Sequence, residues 1–128
     1  MEATGQGPPD RVVVHLRRIC LAFPEATERP FGGHTAPAFR VRDKLFVHCQ
    51  EDGAAFTCKV APGEQGLVVA SDPGRFFVPA YVGHKGWVGV RLDGDVDWSE
   101  VAELAEDSYR LIAPRAVVAR WDAGRTGP

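Results

Sequence analysis

The sequence predicts an α+β fold: one antiparallel sheet of about five strands with helices packed on one face. Three observations carry this expectation. Near both ends, apolar residues recur at helical spacing, as Val12, Leu16, Ile19, Cys20 and Phe23 and again as Val101, Leu104, Ala105, Tyr109 and Ile112. Between them, Lys44–Cys49, Ala55–Val60 and Trp87–Leu92 alternate apolar and polar residues with period two. Gly, Pro and Asp clusters punctuate the chain between these segments, the first two of which lie a hairpin loop apart.

Taken in order, residues 1–9 read as a loose tail, residues 10–121 as one domain and residues 122–128 as a frayed end. Asp10 is placed to cap the first helix, and Pro24 ends it. His15 belongs to its polar side. Residues 24–36 hold two prolines and a Gly-Gly pair and read as a loop. In Pro37–Val41, Phe39 and Val41 oppose Ala38 and Arg40, and Arg42-Asp43 makes a turn. The next two strands pair through a hairpin at residues 51–54. If their apolar sets share one side, Cys49 faces Phe56, Val47 faces Cys58 and Leu45 faces Val60. On the opposite side His48 then meets Thr57, and Phe46 meets Lys59. Pro62 opens a short helix over 63–70 that buries Leu67. Arg75–Val78 is a short apolar strand, and Pro79 means that it lies at an edge or stops there. His84, Lys85 and Gly86 form the turn into the strand that begins at Trp87. Asp97 with Glu100 starts the long helix, with Leu111 in its apolar stripe, and Pro114 ends it before a short helix carrying Ala116, Val117 and Trp121.

Length and composition bound the function. The chain has 128 residues, 45% of them hydrophobic and 25% charged, which suits one domain with a real core. The longest apolar runs are four or five residues, too short to span a bilayer, so no membrane association is expected. MEATGQGPPD lacks a basic segment followed by an apolar one, so no secretory signal is expected. Cys20, Cys49 and Cys58 form no metal spacing, which suits buried free thiols in the cytoplasm.

The formal net charge of −2 conceals an uneven distribution. Arg29–Arg91 holds eight basic residues against five acids, whereas Leu92–Asp107 holds seven acids and no base.

The search for chemistry returns no GxSxG, HExxH or P-loop, so no enzyme is expected. Gly32-Gly33-His34 precedes a strand rather than a helix and so lacks a helix N-terminus for phosphate. His34, His48 and His84 lie on separate segments without ligand spacing, and neither a metal nor another cofactor is expected. Asp43 with His48 or His34 has no spacing that would make an acid–base pair. The strongest candidate is the sheet face away from the helices, expected to carry Arg40, Lys44, Phe46, His48, Thr57, Lys59, Trp87 and Arg91. With the His84-Lys85 turn it offers a nucleic-acid-binding set: Arg40, Lys44, His48, Lys59, His84, Lys85, Trp87 and Arg91. Trp87 has two readings, a stacking surface for a base or a large residue that closes the sheet. The alternative function is an anionic small ligand or a protein partner on the same face. The domain is expected to be a monomer.

The succession GGHTAPAFRVRDKLFVH, FTCKVAP and FFVPAYVGHKGWVGVRL, followed by a helix ending in Ala113-Pro114, resembles the MmcQ/YjbR family of small bacterial proteins over about residues 11–121. The resemblance implies a frataxin-like, or double-wing, α+β fold and a DNA-binding role. It brings no enzymatic activity and no cofactor. The family's histidine lies nearer its proline than His34 lies to Pro37, so no role is carried over to His34. Frataxin's iron-binding ridge is on the first helix. The acids here precede and occupy the last long one, so iron is not carried over either.

Overall fold

The computed structural model describes residues 8–29, 36–50, 53–80 and 82–126, without the side chains of residues 8–10, 84 and 126. Helix α1 (Pro8–Leu21) leads into strands β1 (Ala26–Glu28), β2 (Ala38–Val41), β3 (Lys44–Cys49) and β4 (Ala55–Lys59). Helix α2 (Gln65–Ser71), strand β5 (Phe76–Phe77), a 3₁₀ turn (Gly83–Lys85) and strand β6 (Trp87–Arg91) follow, then α3 (Trp98–Ile112) and α4 (Arg115–Thr126). The six strands form one antiparallel sheet in the order β1-β2-β3-β4-β6-β5, with β5 at an edge as Pro79 suggested.

The predicted register holds through the centre. Val47 faces Cys58, His48 faces Thr57 and Cys49 faces Phe56; β6 then extends the sheet with Val88 opposite Cys58 and Val90 opposite Phe56. These apolar residues join Leu16, Cys20, Val101, Ala105 and Tyr109 in one core, because alternation turns a single face of each strand toward the helices. The three thiols are all buried and unpaired. Burial pushes Cys49 and Cys58 up to about 12, which keeps both neutral.

The register fails at the start of β3. Phe39 pairs with Val47 but the next residue, Arg40, pairs with Leu45, so Phe46 is the extra residue of a β-bulge. The bulge puts Phe46 and Val47 on the same side. Phe46 is fully buried in the core, with its ring edge-on to Phe23 and Tyr109 at centroid distances of 5.9 and 5.5 Å. Leu45 is turned to the opposite face with Arg40 and is only half-buried.

The same bulge parts β3 from β4. Gln50 N–H donates to the Ala55 carbonyl, so the alternating ladder would next bond His48 to Thr57 and then Phe46 to Lys59. At that last pair a helix side chain intervenes. Lys59 N–H donates to Ser108 Oγ at 2.9 Å, and Ser108 Oγ donates to the Phe46 carbonyl at 2.7 Å. Ser108 is fully buried on α3, so one hydroxyl satisfies both strands and fixes the helix on the sheet.

Other boundaries shift for identifiable reasons. α1 begins at Pro8, before the Asp10 cap, because proline suits the first helical turn, where its missing N–H costs nothing. β1 occupies part of the expected loop; three residues of an edge strand carry too little pattern to be seen. α2 begins at Gln65, after Gly63 at φ +84°, and Leu67 is 67% exposed rather than buried. β5 is confined to Phe76–Phe77, and Val78 is exposed. His15 is half-buried and stacks on Trp98 with ring centroids 3.9 Å apart. Leu111 is 43% exposed, outside the buried stripe of α3. Asp97 caps α3 as expected, accepting from Glu100 N–H at 3.2 Å. The tail of the domain is helical to Thr126, not frayed from Asp122. Arg110 explains this: it donates to Asp122 at 2.5 Å and to Glu106 at 2.9 Å, tying α4 to α3.

A second ion-pair cluster ties α4 to the first half of the chain. Glu25 accepts from Arg42 and, at 2.7 Å, from Arg120. Hydrogen bonding by Arg42, then by Arg120, lowers the Glu25 carboxyl from 4.5 to about 2. Asp122 is lowered by its hydrogen bond from Arg110. Carboxylates depressed on folding contribute stability that is full above the unfolded value and is lost as pH falls through the folded one. The melting temperature should therefore decline as pH falls from about 4.5 toward 2, and Glu25→Gln should flatten that decline. Melts at stepped pH check this; a wild-type curve that Glu25→Gln reproduces would remove Glu25 from the account.

Candidate nucleic-acid interface

Strand pairing determines which side chains share the helix-free face. Direct partners lie on the same side, so one row crosses five strands: Ala38, His48, Thr57, Gly89 and Phe77. Beside it run the pairs Lys59–Trp87 and Ala55–Arg91, and Arg40 lies across from Thr27 and Leu45. Arg40, His48, Lys59, Trp87 and Arg91 are thus brought together as expected. Phe46 is not, for it belongs to the core.

Lys44 leaves the set too. It pairs with Val41, a core residue, so the bulge places it on the helix side of the sheet, where it is exposed. Lys85 is exposed at the end of the 3₁₀ turn, ahead of Gly86 at φ +86°. The His84 side chain and the whole of residues 31–35, with His34, lie outside the described residues. Asp43 pairs with Arg29 at 3.0 Å.

The centre of this face is closed rather than solvated. Ala38, Ala55, Thr57 and Trp87 are all buried, Trp87 at 8% exposure, although none belongs to the main core. The Phe77 ring lies against Gly89; a Cβ there would come within 2.2 Å of it, so only glycine admits the ring. The guanidinium carbon of Arg91 sits 4.7 Å from the centroid of the same ring, and Arg91 Nη1 donates to the Gly74 carbonyl at 3.4 Å. Gln65 Nε2 donates to the Gly83 and Trp87 carbonyls at 2.6 and 2.8 Å, anchoring the turn that carries Lys85 to α2. The result is a buried centre of small residues and Trp87, flanked by half-buried Arg40, Lys59 and Arg91.

Next to Arg91 is a cleft of about 320 Å³ lined by Gln50, Ala54, Ala55, Phe77, Arg91 and Asp93. Sequence reasoning missed it. The available signal was Gly89, a glycine inside an alternating strand, which marks a close approach. Among the described residues no cluster of three or more His, Cys, Asp or Glu side chains is placed to hold a metal. No helix among them is long and apolar enough to cross a membrane.

Comparison with known proteins accords with this architecture. The family model described as YjbR matches residues 21–111. No curated protein matches. Among solved structures, the chain is similar to Deinococcus radiodurans protein DR2400, whose crystal structure carries the family-model domain DUF419. The identity is 24%, the match covers 75% of this chain and 74% of that one, and the TM-score is 0.67.

Proposed function

The chain belongs to the YjbR family, and we propose that its helix-free sheet face binds DNA through phosphate contacts, without strong sequence specificity. One observation supports this reading above others. Among the described residues, every charged side chain that the strand pairings put on this face is a base: Arg40, Lys59 and Arg91. The seven acids of Leu92–Asp107 lie after β6, in the approach to α3 and in α3 itself. The strands of this face carry charge of one sign, with Asp93 beside them at the cleft, and such a surface on a molecule of net charge −2 is one that a polyanion can use. Lys85 adds an exposed cation at the turn that leads into β6.

Trp87 is buried, so its ring is not a stacking surface, and phosphate rather than base contact is the mode that fits. In this reading the protein is a non-enzymatic, cytoplasmic binding module that uses no cofactor. The test is a salt titration of binding to duplex and single-stranded DNA. Affinity should fall linearly on logarithmic axes with a slope of about −0.9 per phosphate neutralised on a duplex. Absence of measurable binding at low salt would overturn the reading.

The cleft beside Arg91 favours a second reading, an anionic small ligand held there. Saturation by a mononucleotide with no binding to longer DNA would select it.

A further inference from the structure

A groove lies between α2 and α3, on the side of the sheet opposite the basic face. It has a volume of about 320 Å³, and its apolar lining includes Val60, Ala61, Val68, Leu104 and Leu111. Glu64, Asp107 and Arg110 are its charged members. Arg110 is committed to Glu106 and Asp122. Glu64 and Asp107 have neither an ion pair nor a side-chain hydrogen bond among the described residues, so the free charge of the groove is negative. Burial, with Glu106 nearby, raises the Asp107 carboxyl, as befits a charge set against apolar surface. The exposed Leu67 is the neighbour of Val68 in α2, and Leu111 lines the groove itself.

A second surface on the same chain has the complementary character. Arg11, Val14, Arg18 and Leu21 follow one another along α1 at spacings of three and four residues, a single helical stripe, and all four are exposed. Neither arginine has an ion pair among the described residues, unlike Arg17, which is paired with Glu28 at 2.6 Å. The described residues expose five large hydrophobic side chains; three of them, Val14, Leu21 and Leu111, belong to these two surfaces, and a fourth, Leu67, is on α2 next to the groove-lining Val68.

We propose that the α2–α3 groove receives the exposed α1 stripe of a second copy of this chain. Val14 and Leu21 enter the apolar lining, and Arg11 and Arg18 meet Glu64 and Asp107. The sequence pointed to a monomer; the two surfaces point to reversible association beyond it. Because stripe and groove are different patches, the contact is heterologous and runs head to tail. One helix stripe in one groove is a small interface, so the association is weak and concentration-dependent.

Sedimentation velocity of the full chain tests it, up to about 1 mM protein, where weak contacts populate a complex. The expected result is a sedimentation coefficient that rises with concentration in low salt and less so at about 0.5 M salt, where charges a few ångströms apart are screened. Arg11→Glu with Arg18→Glu should weaken the association by about tenfold or more, and so should Glu64→Arg with Asp107→Arg. Mixing the two double variants should restore it, since the reversed stripe of one then matches the reversed groove of the other. These positions are exposed or border the groove, and melting temperatures will confirm that the variants fold. A wild-type chain that stays monomeric throughout overturns the proposal, as does association indifferent to both double variants. If the chain is monomeric yet its groove binds an unrelated basic amphipathic helix, the groove belongs to another protein and the second-copy reading fails.

Discussion

Trp87→Ala should lower the stability of the domain by ~3–5 kcal/mol, the range for removing a buried aromatic side chain. Trp87 is 8% exposed although it lies on the face away from the helices. Its neighbours across and along the strands include Thr57 and Gly89, which offer little volume to refill the space. The substitution leaves a void in a chain of 128 residues whose whole stability is of the order of 5–15 kcal/mol. Urea denaturation measures the loss. A melting temperature unchanged by Trp87→Ala, together with weakened DNA binding, would reverse the assignment and make the indole a contact residue.

Ser108→Ala should be costly for a different reason. The hydroxyl relays a hydrogen bond from Lys59 N–H to the Phe46 carbonyl where the bulge has parted the strands. Without it two backbone groups are left unpaired under α3. At about 1–3 kcal/mol for each of the two buried unsatisfied groups, the loss is roughly 2–6 kcal/mol, far above that of an ordinary serine truncation. Hydrogen exchange at the Lys59 amide should accelerate in step with the stability change. A cost below about 0.5 kcal/mol would mean that β3 and β4 close directly on each other and that the relay is not needed.

Much of this architecture was legible in the sequence because it rests on alternation. The β3–β4 register over Val47–Cys49 follows from placing two apolar sets on one side, and the structure has that pairing. The cap at Asp97 and the edge position of β5 follow from local chemistry that the tertiary structure does not override. The bulge was not legible. Leu45, Phe46 and Val47 are three apolar residues in a row, and nothing local says which of the first two joins the core; Phe23, Tyr109 and Ser108, distant in sequence, decide it. Lys44 followed Leu45 into the wrong assignment, because a one-residue slip exchanges faces for everything on that side of the bulge. Leu67 and Leu111 have the spacing of core residues, yet both are exposed, Leu111 at a groove that no helix fills. For the candidate site, which bases share a face could be read from parity. That the centre of this face is buried could not, because Ala38, Thr57 and Trp87 owe their burial to tertiary packing.

In the proposed function the bases of the helix-free face, and not the basic residues of the chain at large, contact DNA. The most direct test is the salt dependence of duplex binding for single alanine variants. Lys59→Ala and Arg91→Ala should each reduce the magnitude of the log–log slope by about one. Lys44→Ala should leave it unchanged, since the bulge puts that lysine on the other side of the sheet. Slopes that do not respond to Lys59 and Arg91, or that respond equally to Lys44, would contradict the account.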